Sequence, residues 1–481
     1  MNSIPIHVLS RLVSLSTGPL YLVGGTVRDL LRRVPIKDID VIMQKGSDKV
    51  ARAAADSEGG SFFFLDEQRH MSRVMLPCAG GSVQLDFADF EGADLAADLA
   101  RRDFTVNAMA VDIREYLDHG DIDACGIIDL HGGQEDLRNG IIRTTAPRVL
   151  DEDPLRLLRA VRFAAVLHFT LHPDTVREIR LRAGAITKPS PERVRDELFL
   201  ILSEPSAGIH LFLTESLGLL EHLFPELTRL KGFAPGKHHQ YDILTHSIKT
   251  ADYADQALED LLRLADEKAD RIREHFCEPL EQGITRMAAL RFACLLHDIA
   301  KSDTFSRDED GDVHFHGHDQ VGADRAKEIC ARLRLSKAAT AIVEKNIRNH
   351  MRPLQLSQSN GPSRRALYRY CRDLKDALPE SLVLSLADGR ATGEAMPPEG
   401  FQDTSGTVAF ITKYYYEKYL KAEEKPLLSG RDLIELGLAP GPAFREILDN
   451  VRERQAAGEL TGRREALKLV REMLGAGDLD R

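Results

Sequence analysis

The chain has 481 residues, enough for roughly two to four domains with cores of their own, and a formal net charge of −11. That acidity argues against a uniformly basic nucleic-acid-coating protein and leaves room for a local basic cleft. The six cysteines are scattered with no C-x-x-C pair, no apolar run approaches about 18 residues, and the start Met1-Asn-Ser-Ile-Pro5 lacks a signal-peptide pattern. A cysteine zinc site and a membrane span are therefore not expected, and the expected compartment is the cytoplasm.

Up to about residue 140, short β-type runs alternate with helical stretches, predicting an α/β head. The strands are expected at Tyr21–Val23, Ile39–Met43, Phe62–Leu65, Val83–Phe87 and Val106–Val111. Gly24-Gly25 punctuate the first strand, and Val27, Leu30 and Leu31 then recur at helical spacing. Two glycines before a helix let backbone N–H groups approach an anion, which the helix N-terminus also favours. Asp38 and Asp40 stand two apart on the next strand and project from one face. Adjacent carboxylates repel unless a cation lies between them, and hard oxygen ligands suit Mg²⁺, which also binds substrate phosphates. Val83, Leu85 and Phe87 alternate with Gln84, Asp86 and Ala88. Asp86 is thus either a third carboxylate of that site or a solvent-facing residue of an edge strand. A phosphate cradle facing a metal pair is the apparatus for moving a nucleotidyl group.

Arg101-Arg102-Asp103 follows, with Asn107 shortly after. An Asp can accept from sugar hydroxyls while arginines neutralise phosphate. Asp129-Leu-His-Gly132-Gly133-Gln-Glu-Asp136 reads as a hinge or as a plain left-handed turn. From about 141 to 231 the pattern is helical, and Arg143, Arg148, Arg156, Arg159, Arg162, Arg193 and Arg195 join Arg101 and Arg102 as the expected basic cleft. In Glu152-Asp153-Pro154-Leu-Arg156, proline suits a first helical turn, which places Asp153 and Arg156 on one helix face. The pair is either an N-capping acidic turn with a local ion pair or a reader of base edges, in which Asp153 would accept from the exocyclic amine of cytosine or adenine. Arg156 donates to the acceptors beside that amine. On the second reading uracil and guanine, which present a carbonyl to the carboxylate, would be rejected.

Gly24-Gly-Thr-Val-Arg28-Asp29 followed by Asp38-Ile-Asp40 resembles the signature of the nucleotidyltransferase superfamily and, more narrowly, the bacterial tRNA nucleotidyltransferase and poly(A) polymerase family. The likeness runs nearly unbroken through the RRD and EDxxR motifs and through Arg159, Arg162 and Phe163 to Pro191–Glu197, read as ion pairs bracing the template helix. It implies catalysis by Asp38, Asp40 and Asp86 with Mg²⁺ on the aspartates. It implies triphosphate binding by Gly24, Gly25, Arg28 and Asp29, sugar contacts by Arg102, Asp103 and Asn107, and a protein template in Asp153 and Arg156 supported by Arg159 and Arg162. The implied partners are the tRNA 3′ end, CTP and ATP, with no membrane.

The second helical block carries His246, His297-Asp298, His318, His350 and Asp388. This order resembles the HD phosphohydrolase superfamily, implying a site of His246, His297, Asp298 and Asp388, with His318 and His350 for a second metal. Such ligands suit Mn, Ni, Fe or Zn more than Mg. In the tail, Lys413-Tyr-Tyr-Tyr-Glu-Lys-Tyr-Leu-Lys421 interleaves base and aromatic; it either touches RNA or packs on a helix.

The expected architecture is an α/β nucleotidyltransferase head, a small mixed sheet with helices over 1–140, followed by all-α regions. These are a neck and body over 141–231, an HD-type domain over 237–390 and a tail over 401–481, with breaks at 230–236 and 391–400. Full CCA-adding relatives carry a flexible loop before RRD, with a Tyr and an Arg-Pro pair. Here only Phe87–Ala100 separates Asp86 from Arg101, and the shortening resembles the CC-adding subtype, which leaves the terminal A to a separate A-adding enzyme. The alternatives are full CCA addition, a poly(A) polymerase, and an HD-type phosphohydrolase with an RNA-binding head.

Overall fold

The computed structural model describes residues 4–78, 81–233, 241–358, 362–393 and 404–475. The breaks expected at 230–236 and 391–400 therefore lie partly outside the described residues. Contacts divide the chain into two compact units, one of Met1–Ser190 with Ser216–His222, the other of Pro191–Glu215 with Leu223–Arg481. The division falls at Pro191, inside the stretch expected as neck and body.

The first unit is built on a seven-stranded mixed sheet of order β3-β4-β5-β2-β1-β6-β7. Its strands are β1 (Tyr21–Val23), β2 (Asp38–Met43), β3 (Ser61–Asp66), β4 (Met71–Cys78), β5 (Gly81–Asp89), β6 (Met109–Asp112) and β7 (Ile128–Asp129). Strands β2 and β5 pair in parallel, placing Asp40 opposite Asp86; the other pairings are antiparallel. Period-two alternation sets the two faces. Ile39, Val41, Val74, Leu76, Leu85 and Phe87 point into the core, which the helix Ser47–Glu58 closes with Val50, Ala51, Ala54 and Ala55. Asp38, Asp40, Asp86 and Arg73 occupy the intervening positions and so project from the opposite face.

Each expected strand has a counterpart, with one shift and two additions, the two-residue β7 and a longer strand. The run at Val106 becomes a strand only from Met109, because Thr105–Asn107 form a 3₁₀ turn. The longer addition is β4, whose Pro77 and mixed Met-Ser-Arg start hide it from propensity.

The second unit is almost wholly helical. At its centre lies the helix Arg286–Leu296, every residue of which is buried. It packs against the helices Ile243–Asp252, Lys337–Asn349, Pro191–Ser203 and Leu378–Gly393. Leu290, Phe292, Leu295 and Leu296 are fully covered, and each contributes about 1.5–3 kcal/mol by burial. Tyr414, Tyr415 and Tyr419 are buried too, and the Tyr415 hydroxyl donates to the Lys375 carbonyl (3.0 Å). Of the two readings of this aromatic run, helix packing holds for these three tyrosines, which are core, while Lys413 and Lys418 remain exposed. Among the described residues no helix is long and apolar enough to cross a membrane.

Candidate active site and metal centres

Strands β2 and β5 bring Asp38, Asp40 and Asp86 together, with one oxygen of each within 4.8 Å of the others. The buried Thr26 hydroxyl accepts from the Asp40 N–H (2.7 Å), tying the glycine turn to the carboxylate strand. Burial, then the charge of Asp38, push Asp40 up to about 7 against the opposing pull of Arg102. Three hard carboxylates that cannot comfortably share negative charge fit a divalent cation. Arg73 makes a bidentate ion pair with Asp86, Nε to Oδ1 and Nη2 to Oδ2, both at 2.8 Å.

The raised Asp40 has a definite sign. The native state holds a proton that the unfolded acid, with its ordinary value of 3.8, has lost. Ionisation therefore costs metal-free stability progressively as pH rises from about 4 to 7, and a bound cation relieves that cost. Mg²⁺ is expected to raise Tm more at pH 8 than at pH 5.5. Asp40→Asn is expected to erase that difference and to melt higher than wild type in metal-free buffer at pH 8. Calorimetry with and without Mg²⁺ checks both.

Beside the carboxylates, Gly24 has φ +63°, and a Cβ there would lie 2.9 Å from Arg102 Nη1. That left-handed conformation favours glycine, and an added Cβ would displace the Arg102 guanidinium from its place. Arg28 is held by Asp29 (2.9 and 3.0 Å) and by Asn107 Oδ1 (2.6 Å). Arg102 is held by Asp98 (3.1 Å), whereas Arg101 turns to Glu91 (3.9 Å) and Glu152 (3.6 Å). One arginine of the pair, not both, thus joins the cradle.

Asp103 differs from its expected part. It is buried, and its carboxylate accepts from Arg159 Nε (3.0 Å) and Nη2 (2.7 Å), the Phe104 N–H (2.8 Å) and Asn107 Nδ2 (3.1 Å). Burial raises its proton affinity, but Arg159 and these bonds outweigh that and hold the carboxyl below its usual range. Four accepted bonds fill a carboxylate, so in this structure Asp103 braces Arg159, and the expected ribose contact would require it to exchange one of these partners. The basic cleft shrinks likewise. Arg143 pairs with Asp136 (2.9 and 3.0 Å), and Arg195 with Glu281 (3.8 Å) and the Arg334 carbonyl (2.9 Å).

The expected single helix face at Asp153 and Arg156 is also corrected. Asp153 is extended (φ −139°, ψ 98°) and the helix Arg156–Leu167 begins after it. The cause is Pro154, which bars the preceding residue from the α region. Asp153 Oδ1 accepts from the Leu155 N–H (3.2 Å), and Arg156 Nη1 donates to the Val149 carbonyl (3.2 Å). Further along that helix, Arg159 lies 5.3 Å and Arg162 4.0 Å from the Phe163 ring centre. The glycine turn expected as a hinge is tied down. Asp129 accepts from the N–H groups of Gly133 (2.8 Å) and Gln134 (2.9 Å), and a Cβ on Gly133 would meet the Thr105 carbonyl oxygen at 2.3 Å.

In the second unit, His246, His297 and Asp388 form one group of potential ligands, and Asp298, His318 and His350 form another. Asp298 stands between them: Oδ2 faces His297 (3.3 Å) and His246 (3.8 Å), and Oδ1 faces His318 (3.5 Å) and His350 (3.8 Å). The Nδ1 atoms of His297, His318 and His350 donate to the carbonyls of Cys294 (2.8 Å), Phe315 (2.8 Å) and Ile347 (2.7 Å). This orientation turns each Nε2 inward, as in metal-bound histidine. Nε2 of His318 and of His350 lie 3.1 Å apart, and burial with the charge of His297 lowers His350 to about 4. His297 Nε2 and Asp298 Oδ1 are buried without hydrogen-bond partners, and Asp298 Oδ2 is met by the Lys301 ammonium at 2.6 Å. This imidazole and carboxylate set fits divalent transition metals.

Three family models match the chain: the poly A polymerase head domain over residues 20–143, the probable RNA and SrmB-binding site of polymerase A over 168–231, and the HD domain over 243–392. An A-adding tRNA nucleotidyltransferase of Deinococcus radiodurans is 37% identical over 93% of this chain and 94% of its own. CC-adding enzymes of Thermus thermophilus (34%; 92% and 91%) and Geobacter sulfurreducens (31%; 94% and 91%) are also similar. The chain belongs to the tRNA nucleotidyltransferase family. A CCA-adding enzyme solved with ATP shares the fold, with TM-score 0.64 at 21% identity over 98% of this chain and 93% of that one. The Thermotoga maritima CCA-adding enzyme complexed with tRNA gives 0.61 at 21% over 98% and 94%.

Several residues shaping the carboxylate site and the HD-type group of this tRNA nucleotidyltransferase lie outside its motifs or look ordinary within them. Thr26 lies inside a recognised motif but reads as filler. Asp98 is four residues from Arg102 and is legible only once Leu95–Ala100 is known to be a helix. Arg73 sits on the unpredicted β4. Lys301, whose Nζ lies 2.6 Å from Asp298 Oδ2, is three residues beyond it and could have been found by helical spacing.

Proposed function

We propose that this tRNA nucleotidyltransferase rebuilds the 3′ end of tRNA, without a nucleic-acid template, by adding two cytidines. The observation that carries the reaction is the carboxylate triad Asp38, Asp40 and Asp86 facing the cradle of Gly24, Gly25, Arg28 and Arg102. The tRNA 3′ hydroxyl attacks the α-phosphorus of CTP, the bond to the β-phosphate oxygen breaks, and pyrophosphate leaves. Asp38 and Asp40, with Asp86, would hold Mg²⁺, which lowers the pKa of the attacking hydroxyl and stabilises the leaving oxygen. Arg28 and Arg102 are oriented beforehand by Asp29, Asn107 and Asp98, so little reorganisation is needed to bind the triphosphate.

Base choice rests on Asp153 and Arg156. Arg156→Ala is expected to relax C-over-U discrimination by about 1–3 kcal/mol, on the order of 5- to 150-fold, more than it weakens triphosphate binding. Competition between CTP and UTP checks this; unchanged discrimination would contradict the template role.

The limit at two cytidines is supported by the segment between β5 and Arg101. It is a short connector closed by the helix Leu95–Ala100, which Asp94 caps (2.8 Å), and it is pinned where Asp98 accepts from the Glu91 N–H (2.9 Å). A connector so tied has no slack to help the template pair reorient from C to A. On this reading a separate A-adding enzyme completes the end. The second reading is A addition, favoured by the similarity to the Deinococcus A-adding enzyme. The test supplies tRNA ending at the discriminator base and tRNA ending in CC, each with CTP, ATP or both. The expected result is two C's and a stop; efficient addition of A to the CC end would overturn it. A second activity, hydrolysis of phosphate esters such as 2′,3′-cyclic phosphates at the HD-type ligands, is proposed from the inward-facing donor set.

A further inference from the structure

The sheet register aligns four residues in one row across the catalytic face: Asp40 opposite Asp86, Asp86 opposite Arg73, and Arg73 opposite Phe63. Directly opposed residues share a face, so Phe63 continues the line that begins at the carboxylates. Its neighbours point the other way. Phe62 and Phe64 pack together and lie under Arg52 of the helix Ser47–Glu58, at 4.3 and 5.9 Å from its guanidinium. Phe63 is 53% exposed on the edge strand. Strands are about 4.8 Å apart, so Phe63 stands roughly 10 Å from Asp86. Arg73 lies between them, about one-third exposed in its side chain, with both donor edges on the Asp86 carboxylate.

Each position matches one part of a single-stranded RNA end. Arg73 presents a fork of two donors that Asp86 fills here, with the Gln84 amide 3.4–3.5 Å from the same two oxygens, and a phosphodiester offers the same fork of acceptors. An exposed aromatic ring beside a cation is the usual surface on which an unpaired base stacks. We propose that Arg73 and Phe63 form the track for the RNA 3′ end: Arg73 exchanges Asp86 for a phosphodiester of the incoming strand, and Phe63 stacks on a base next to the reacting nucleotide. The exchange couples primer arrival to release of the third carboxylate. This inference rests on the nucleotidyl-transfer reading and adds the path of the primer.

The test is steady-state addition of CTP to tRNA lacking its CCA end. Phe63→Ala should raise KM for tRNA about 5- to 100-fold, from the worth of one stacked base, with KM for CTP within about twofold. Phe63→Trp should restore it. Arg73→Ala should lower the slope of log KM for tRNA against log salt by about 0.7, one phosphate contact to a single strand, and Arg73→Lys should retain the slope. A tRNA KM in Phe63→Ala close to wild type, an equal rise in both KM values, or an unaltered salt slope in Arg73→Ala would overturn the track. So would loss of self-association in Phe63→Ala with tRNA KM unchanged, which would make β3 a protein interface. Failure of the wild-type chain to add nucleotides would instead overturn the nucleotidyl-transfer reading itself.

Discussion

Asp40→Ala, and separately Asp38→Ala, are expected to reduce nucleotide incorporation by on the order of 10³-fold or more while tRNA binding persists. The magnitude follows from the several kcal/mol of transition-state charge stabilisation that a divalent metal supplies. The geometry gives the reason for specificity. Asp38 and Asp40 project side by side from β2, and Asp86 meets them from β5. Neither substitution touches the core, because Ile39 and Val41 carry the buried face of β2. Folding should survive, and Asp40→Ala should remove a charge that burial disfavours. Single-turnover incorporation with filter binding of tRNA separates chemistry from binding. Normal incorporation by either variant at ordinary Mg²⁺ would contradict the metal role.

His297→Gln is expected to abolish divalent-metal phosphohydrolase activity, by on the order of 10²-fold or more, and to leave CTP addition within about twofold. Glutamine keeps much of the volume at a site where His297 is 1% exposed, so a packing defect is held small. His297 faces Asp298 and Asp388 at 3.3 and 3.7 Å, and removing its Nε2 takes a donor from a group otherwise made of His246 and Asp388. Metal content per chain after dialysis should fall with the activity. Hydrolysis of a 2′,3′-cyclic nucleotide gives the activity, and incorporation on the same preparation gives the control. Parallel loss of both activities in a folded variant would contradict independent sites.

What the chain reveals before folding depends on how local the physics is. Asp38 and Asp40 are legible because a strand repeats every two residues, and Asp86 because its apolar neighbours alternate with it. The HD-type ligands are legible only as an order of residue types, since His246 and Asp388 meet at 2.9 Å across a long stretch of sequence. Asp153 lies outside the helix because Pro154 disfavours the α region for the residue before it, a local rule that outweighs the i, i+3 spacing. Asp103 reads as a sugar ligand from its motif alone, and its burial against Arg159 is invisible there because exposure is not a local property. Arg73 stayed hidden because β4 is recruited by its neighbours on both sides, β3 and β5, rather than by its own propensity. Buried Tyr415 and Tyr419 show the same limit: a basic-aromatic stripe and a packed helix read alike until their surroundings are known.

The most direct measurement follows pyrophosphate release and nucleotide incorporation together, with wild-type protein, Mg²⁺, CTP and tRNA trimmed to the discriminator base. Nucleotidyl transfer at the carboxylate triad predicts one pyrophosphate per nucleotide added, two cytidines per tRNA, and neither product from Asp40→Asn. Incorporation without matching pyrophosphate, or release of inorganic phosphate with no growth of the RNA, would contradict it.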